Sequence, residues 1–469
     1  MSIQFDLTLQ EAHWTLLKQL LHREDGQEAA AYVLYGEAHI HSDPWDRQQR
    51  RRLTSYEVVP IPEEEQISAS DVHVTWSTAS FVKLLKRAQA DKLILGIVHS
   101  HPHGFAEFSE QDDQNEQLLL QLAQNRNGND TPLVSLLFAG ETQVCARLWI
   151  DKGFSVTASV VRVVGKHLAS HWRDELSNVS EIFDRQSLAF GRGLTQQLQK
   201  LKVGVVGCGG TGSATAMLLA RLGVGQVLLI DEDRVEATNL NRLHGAKRSD
   251  ADAMRAKVHV LAREITEMSI GTRVFAMQSW VGATECQEAL KACDVIFGCT
   301  DDHDGRLLLN RFAYFYLTSV IDMGLAIAPN PLGGFRDMSG RVTVLAPGSS
   351  CLLCRGIIDP IIAREESLKR THPEQYERQK REAYIRGGDN PAPAVVTFTT
   401  SLACMAIDEL IQGMTGFRDD DGWLWNHTRR YDRLEDRRPG ATHNQDCPVC
   451  AESLYLGRAD VMPFLDRTG

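Results

Sequence analysis

Between residues 96 and 113 the chain reads GIVHSHPHGFAEFSEQDD, placing three histidines within five positions and a serine and two aspartates behind them. His99 and His101 close an apolar run, and on an extended strand side chains two apart share a face. Asp112 opens the helix-prone stretch that follows. Two imidazoles and a carboxylate give Zn²⁺ three protein ligands and leave one position open. Such a site brings the pKa of water toward ~7, where hydroxide is available for hydrolysis. Taken alone, His-x-His is more often a polar loop than a metal centre.

A second chemistry-bearing set begins at GCGGTGS (207–213), with Gly207, Gly209, Gly210 and Gly212 between the apolar KVGVV and a helical pattern. Small residues there let backbone approach a phosphate, and a helix N-terminus favours negative charge. A glycine turn by itself reads equally well as an NAD site. The next strand ends LLIDEDRVEATNLNRL, with Asp231 where a ribose-binding carboxylate belongs. NAD chemistry has no use for the polar run Asn239, Asn241 and Arg242. A triphosphate does, because arginine neutralises and orients phosphate oxygens. Lys257 on the following helix adds a cation, and Asp301 in CTDDHDGR offers a carboxylate for Mg²⁺.

A third set is PGSSCLLC and DCPVC, where Cys351, Cys354, Cys447 and Cys450 form two CxxC pairs. Four thiolates in two such turns suit a closed tetrahedral Zn²⁺ site.

The elements that must carry these residues fall into two textures. Residues 1–160 read as α+β: a helix (EAHWTLLKQLL), a strand (EAAAYVLYG), a helix (TASFVKLLKRAQ), the strand KLILGIV leading into the histidines, a helix from EQDDQ, then strands PLVSLLFAG and VCARLWI. Residues 161–200 are a polar, helix-prone connector and the start of the next domain. From 201 to 469 strands and helices alternate, the α/β pattern of a doubly wound, mostly parallel sheet. The charged stretch 363–386 interrupts it, and TFTTSLACMAIDELI reads as a buried helix carrying Cys404.

The 469 residues exceed one hydrophobic core, and 43% hydrophobic with 24% charged residues is an ordinary globular balance. A net charge of -11 argues against coating nucleic acid. The cluster RQQRRR (47–52) reads as a solvated loop. No run of about 18 apolar residues predicts a membrane span, and MSIQFDLTLQEAHW lacks a signal-peptide pattern. Cytoplasm is the expected compartment, with CxxC pairs for metal rather than disulfides.

Residues 180–450 resemble the ThiF/MoeB superfamily, which includes the ubiquitin-activating enzymes. The resemblance rests on FDRQ (183–186), the glycine turn, the D-x-D-x-V…N-L-N-R run, the helix lysine and T-D-x-x-x-x-R (300–306). It implies ATP·Mg²⁺-dependent adenylation of the C-terminal glycine of a ubiquitin-like or sulfur-carrier protein. By that resemblance Asp231 takes the ribose, Asn239, Arg242 and Lys257 contact phosphates, Asp301 holds Mg²⁺, and the zinc of the four cysteines is structural. Arg185 resembles an arginine inserted into a partner's site, which implies a homodimer. Many such enzymes pass the acyl group to a cysteine before the last helix. Here that segment reads YIRGGDNPAPAVVTFTTS and has none. The remaining cysteines, Cys145, Cys208, Cys286, Cys293, Cys299 and Cys404, do not read as activated thiolates. Either the adenylate passes directly to a downstream nucleophile, the favoured reading, or a hydroxyl such as Ser367, Thr371 or Thr397 accepts an ester.

The pattern H-S-H-P-x6-S-x-x-D resembles the JAB/MPN (JAMM) metalloproteases, which cut after the terminal glycine of ubiquitin-like proteins. It implies His99, His101 and Asp112 as ligands and Ser109 as oxyanion support, although Ser109 and Asp112 also fit a helix capping box. His103 and Asp113 lie outside the motif and are expected to face solvent. Glu28 is the preferred general base, with Glu24 and Glu37 as alternatives.

The expected whole is an α/β fusion: an α+β JAB domain, then a Rossmann-like ThiF adenylation domain with a four-cysteine zinc site. Its substrate would be a glycine-ended ubiquitin-like protein, with a conjugating-enzyme-like protein as a further partner. A bacterial source and an antiphage role are implied by resemblance alone. Alternatives are sulfur-carrier activation for biosynthesis and an inactive scaffold that binds a ubiquitin-like protein.

Overall fold

A strand buried on both faces must be apolar at consecutive positions rather than alternate ones, and Ala30–Ile40 shows the result. Ala31, Val33 and Tyr35 enter one apolar cluster, while Tyr32 and Leu34 enter another on the opposite side. The computed structural model describes residues 4–71, 73–104, 106–140, 143–174, 178–330, 334–381, 393–418, 422–451 and 455–461. The chain forms two compact units. One comprises Met1–Leu176, Phe315–Leu317 and Leu456–Phe464; the other comprises Ser177–Tyr314, Thr318–Tyr455 and Leu465–Gly469.

The first unit is built on a nine-stranded mixed sheet. Its order is Leu168–Trp172, Val160–Val164, Gln4–Gln10, Arg50–Pro60, Ala30–Ile40, Ile94–His101, Leu133–Ala139, Gln143–Asp151 and Phe154–Thr157. Leu17 and Leu21 of the helix Glu11–Leu21 pack on one face. Phe81, Leu84 and Leu85 of Ala79–Asp91 and Leu120 and Ala123 of Glu110–Asn127 pack on the other. The segment around Gly457 returns to this unit: Thr54 Oγ1 donates to Gly457 O at 2.8 Å, and His39 N–H donates to Asp460 Oδ2 at 2.8 Å. Residue 36 has to be glycine there, since a Cβ would lie 2.1 Å from Gly457 O.

Two sequence expectations change. Arg47 of RQQRRR is exposed in a loop as expected, but Arg50, Arg51 and Arg52 are not in a solvated loop, because Arg50–Pro60 is a strand flanked by Gln4–Gln10 and Ala30–Ile40. Arg50 pairs with Asp43 at 2.9 Å and Asp46 at 2.6 Å, Arg51 with Glu37, and the buried Arg52 approaches Asp6 at 3.8 Å. Asp6 and Glu37, which come from neighbouring strands, make burial of these charges tolerable. The stretch 161–200 is also more than a connector. It supplies the end of Val160–Val164 and the strand Leu168–Trp172 before the helix Asp184–Lys200.

The second unit has an eight-stranded sheet. Arg273–Met277, Gln226–Ile230, Lys202–Val206, Val295–Gly298 and Ser319–Pro329 are parallel. Phe335–Leu345, Asn426–Arg430 and Glu435–Arg437 extend it antiparallel. This is the expected α/β class. The charged stretch forms the helices Pro360–Thr371 and Pro373–Arg381, and residues 382–392, which include the first half of the cysteine-free segment, lie outside the described residues. The helix Val396–Thr415 buries Leu402, Ala403, Ala406 and Leu410, but Cys404 is exposed on its outer face. No described helix is long and apolar enough to cross a membrane.

Candidate active sites

The strand Ile94–His101 turns His99 and His101 to one side and Ser100 to the other. Ser100 N–H donates to Ala29 O at 3.0 Å and Ser100 Oγ accepts from Ala29 N–H at 3.1 Å. That reciprocal pair, with Glu28 N–H donating to Ser70 O at 2.7 Å, fixes Glu28 beside the histidines. Its carboxylate lies 3.8 Å from His101 Nε2. Burial pushes the Glu28 carboxyl above its ordinary range. The two alternatives are elsewhere: Glu37 is paired with Arg51 and His39, and Glu24 is exposed.

Asp112 enters from the first turn of Glu110–Asn127. Its Oδ1 is 3.3 Å from His99 Nε2 and its Oδ2 is 3.5 Å from His101 Nε2. Burial opposes ionisation of Asp112, but hydrogen bonding to His101 and His99 outweighs it and holds the carboxyl well below the usual range. His99 Nε2 is buried and, beyond its long 3.3 Å contact with Asp112, has no partner; in the neutral ring it presents an unmet lone pair that a cation would satisfy. A tetrahedral Zn²⁺ with ~2.0–2.1 Å arms requires donors about 3.3 Å apart. The spacing here fits, so His99, His101 and Asp112 could hold the ion. Ser109 is the N-cap of the helix and forms the capping box with Asp112. His103 is exposed and 3.3 Å from Asp71. Asp113 is not simply solvent-facing, since it pairs with Arg147.

In the second unit the cavity lies at the carboxyl ends of the parallel strands, where the order changes direction beside Lys202–Val206. It measures about 340 Å³ and is lined by Gly207, Gly209, Gly210, Asp231, Arg242, Lys257 and Asp301 among others. Gly207 has φ +87°, and a Cβ on Gly212 would lie 1.8 Å from Gly207 O, so these two positions leave no room for a side chain. Asp231 Oδ2 accepts from Cys208 N–H at 2.5 Å and Oδ1 from Asp233 N–H at 2.8 Å. Burial pushes the Asp231 carboxyl up. Burial disfavours the Lys257 ammonium, yet Asp231 and Asp233 more than offset it and raise its pKa; Lys257 Nζ is 2.7 Å from Asp233. Arg242 Nη1 donates to Thr238 O at 2.7 Å.

Two expected residues do not line this cavity: Gly212, packed against the carbonyl of Gly207, and Asn239, which caps a short turn with its Oδ1 accepting from Glu236 N–H at 3.1 Å. Arg185, expected to reach a partner's site, is exposed on the helix Asp184–Lys200. Arg370 does line it, although nothing local in the sequence marks it. It bridges to Asp304 at 2.7 Å, and its guanidinium lies 4.0 Å from the Trp280 ring centroid.

Cys351 Sγ is 3.6 Å from Cys447 Sγ, and Cys354 Sγ is 3.6 Å from Cys450 Sγ. Zn–S arms of ~2.3 Å give tetrahedral edges of about 3.8 Å, so this cluster could hold zinc. Of the six other thiols, burial pushes Cys145 and Cys286 to about 11 and raises Cys208, Cys299 and Cys404 as well, which favours the neutral form. Of the three hydroxyls considered, Thr371 Oγ1 donates to Ser367 O at 2.8 Å and lies 3.0 Å from His372 Nδ1, an imidazole the sequence reading did not pick out.

Comparison with known proteins agrees with this division. Residues 183–449, more than half of the chain, match the ThiF family, and residues 10–150 match the prokaryotic homologs of the JAB domain. Ubiquitin-like modifier-activating enzyme 5 of Bombyx mori is 28% identical over 170 residues, covering 34% of this chain and 41% of that protein. Adenylyltransferase and sulfurtransferase uba4 of Emericella nidulans is 32% identical over 161 residues, covering 34% of this chain and 32% of that protein. The chain thus spans less than half the length of these curated relatives. A structure of E. coli MccB with ATP superimposes with a TM-score of 0.44 at 17% identity, covering 58% of this chain and 75% of MccB. The chain belongs to the ThiF family, through residues 183–449, and its residues 10–150 form a domain of the prokaryotic JAB type.

Proposed function

We propose that the chain is a bifunctional enzyme for one glycine-ended ubiquitin-like protein, whose C-terminus it both adenylates and cuts after. The observation that carries this reading is the pairing, in one chain, of a complete His99–His101–Asp112 donor set beside buried Glu28 with an adenylation domain. Both halves would read the same substrate tail.

In the first unit, bound Zn²⁺ would supply Lewis acidity and lower the pKa of water. Glu28 would take the proton of the attacking water and return it to the leaving amine, a task suited to a carboxyl raised by burial. Ser109 would turn its hydroxyl from Asp112 Oδ2 to donate to the developing oxyanion. In the second unit, the glycine carboxylate would attack the α-phosphorus of ATP and release pyrophosphate. The glycine turn, Arg242 and Lys257 would hold the phosphates, Asp231 the ribose and Asp301 Mg²⁺. Arg185 would complete a partner's site in a homodimer. The raised thiols favour direct transfer from the adenylate, to a conjugating-enzyme-like protein or other acceptor.

A second reading, activation of a sulfur carrier, is favoured by the likeness to the adenylyltransferase and sulfurtransferase. The test is a ubiquitin-like protein bearing a peptide beyond its terminal glycine: release should stop with a chelator or in Glu28→Ala. Normal cleavage by Glu28→Ala would remove Glu28 from the mechanism. A hydroxylamine-sensitive adduct on Ser367, Thr371 or Thr397 would replace direct transfer with an ester.

A further inference from the structure

Asp112 reaches the histidines from the start of the helix Glu110–Asn127, so the aim of its carboxylate depends on how that helix is held. One turn further on, Glu116 is 1% exposed, a carboxylate with no access to water. Its Oε1 accepts from Ser135 Oγ at 2.5 Å, and its Oε2 accepts from Arg147 Nε at 2.7 Å and Trp149 Nε1 at 2.6 Å. Arg147 is itself buried and also pairs with Asp113. Its guanidinium lies 3.8 Å from the centroid of Phe108, whose ring is 6.0 Å from that of His99. One arginine therefore grips the residue before Ser109 and two residues after it, with Asp112 in between.

A buried ion pair is a poor source of net stability, because desolvation cancels much of the attraction and apolar replacements are often as stable. A guanidinium does offer fixed hydrogen-bond directions, which an apolar contact lacks. Here those directions set the rotation of the helix about its axis and so the position of both Asp112 oxygens. Glu116 also lines the small cavity shared by His99, Asp112 and Glu28.

We infer that Glu116 and Arg147 are positioning residues for the His99–His101–Asp112 centre; this rests on the reading of that centre as a zinc site. Partners behind metal ligands typically change affinity by ~10–100-fold. The experiment titrates full-length, metal-stripped protein with Co²⁺, then with Zn²⁺ against a competing chelator. The four-cysteine site reports through its thiolate charge-transfer band, and the other site through its d–d band alone. Arg147→Met and Glu116→Gln should weaken the second site by ~10–100-fold and change its d–d band, with the four-cysteine site unaltered. Arg147→Lys, which keeps the charge but not the fork, should not restore it. The double variant Glu116→Met/Arg147→Met leaves no buried charge unpaired, since Asp113 is partly exposed to water, and should fold, yet bind cobalt in the same weakened way. A folded double variant with wild-type affinity and band would overturn the inference and leave the zinc reading intact. Wild-type protein that takes up only thiolate-bound metal would instead remove the zinc reading, and this inference with it.

Discussion

Asp112 Oδ2 accepts from both the backbone N–H and the hydroxyl of Ser109, each at 2.7 Å, while Ser109 Oγ accepts from Asp112 N–H at 3.1 Å. The helix start and the aim of the third candidate ligand are thus one structure. Ser109→Ala should cost about 1 kcal/mol, or ~2–4 °C in the melting of a unit this size. Cleavage should fall further, by ~10²-fold, because the oxyanion donor is lost as well. Ser109→Thr should recover the melting temperature. Differential scanning calorimetry beside peptide-release assays separates the two effects.

Glu28 gives a pH signature. Its carboxyl is raised by burial, so the folded state favours the protonated form. That contribution is fully present below the unfolded-state value of about 4.3 and is lost as pH rises through the folded one. In metal-stripped protein, Glu28→Gln should melt higher than wild type at neutral pH, and the gap should close on acidification toward pH ~4. A gap that widens on acidification would contradict the burial argument.

The nucleotide cavity separates contact from support. Lys257→Met removes a charged partner worth ~1.5–3 kcal/mol, so KM for ATP should rise ~10–100-fold. Asn239→Ala removes a turn cap that does not line the cavity, so it should lower the melting temperature and leave KM nearly unchanged. Initial rates over a range of ATP concentrations decide both.

What the sequence made legible was local. The donors His99, His101 and Asp112 lie within fourteen positions, and the CxxC pairs and glycine turn carry their spacing with them. What it hid was long-range. Arg51 and Arg52 read as solvated because their partners Glu37 and Asp6 come from other strands. Arg370 meets Asp304 and Trp280 only through the fold. Ser100 carried no expectation from the sequence, yet its bonds to Ala29 fix Glu28. Cys404 was misplaced for another reason: an apolar helix composition does not say which positions face out.

The four-cysteine cluster joins segments nearly a hundred residues apart, so its metal should act as a cross-link for the second unit. Cys447→Ser should lose one zinc per chain by elemental analysis and lower the melting of that unit by several °C or more, since structural zinc binding is folding free energy. The His99–His101–Asp112 site should retain its metal.

Adenylation is read most directly by ATP–pyrophosphate exchange, with and without a ubiquitin-like protein ending in glycine. Exchange should require that protein, disappear when its terminal glycine is deleted, and be lost in Asp301→Ala. Exchange in the absence of any partner, or undiminished exchange in Asp301→Ala, would contradict the account.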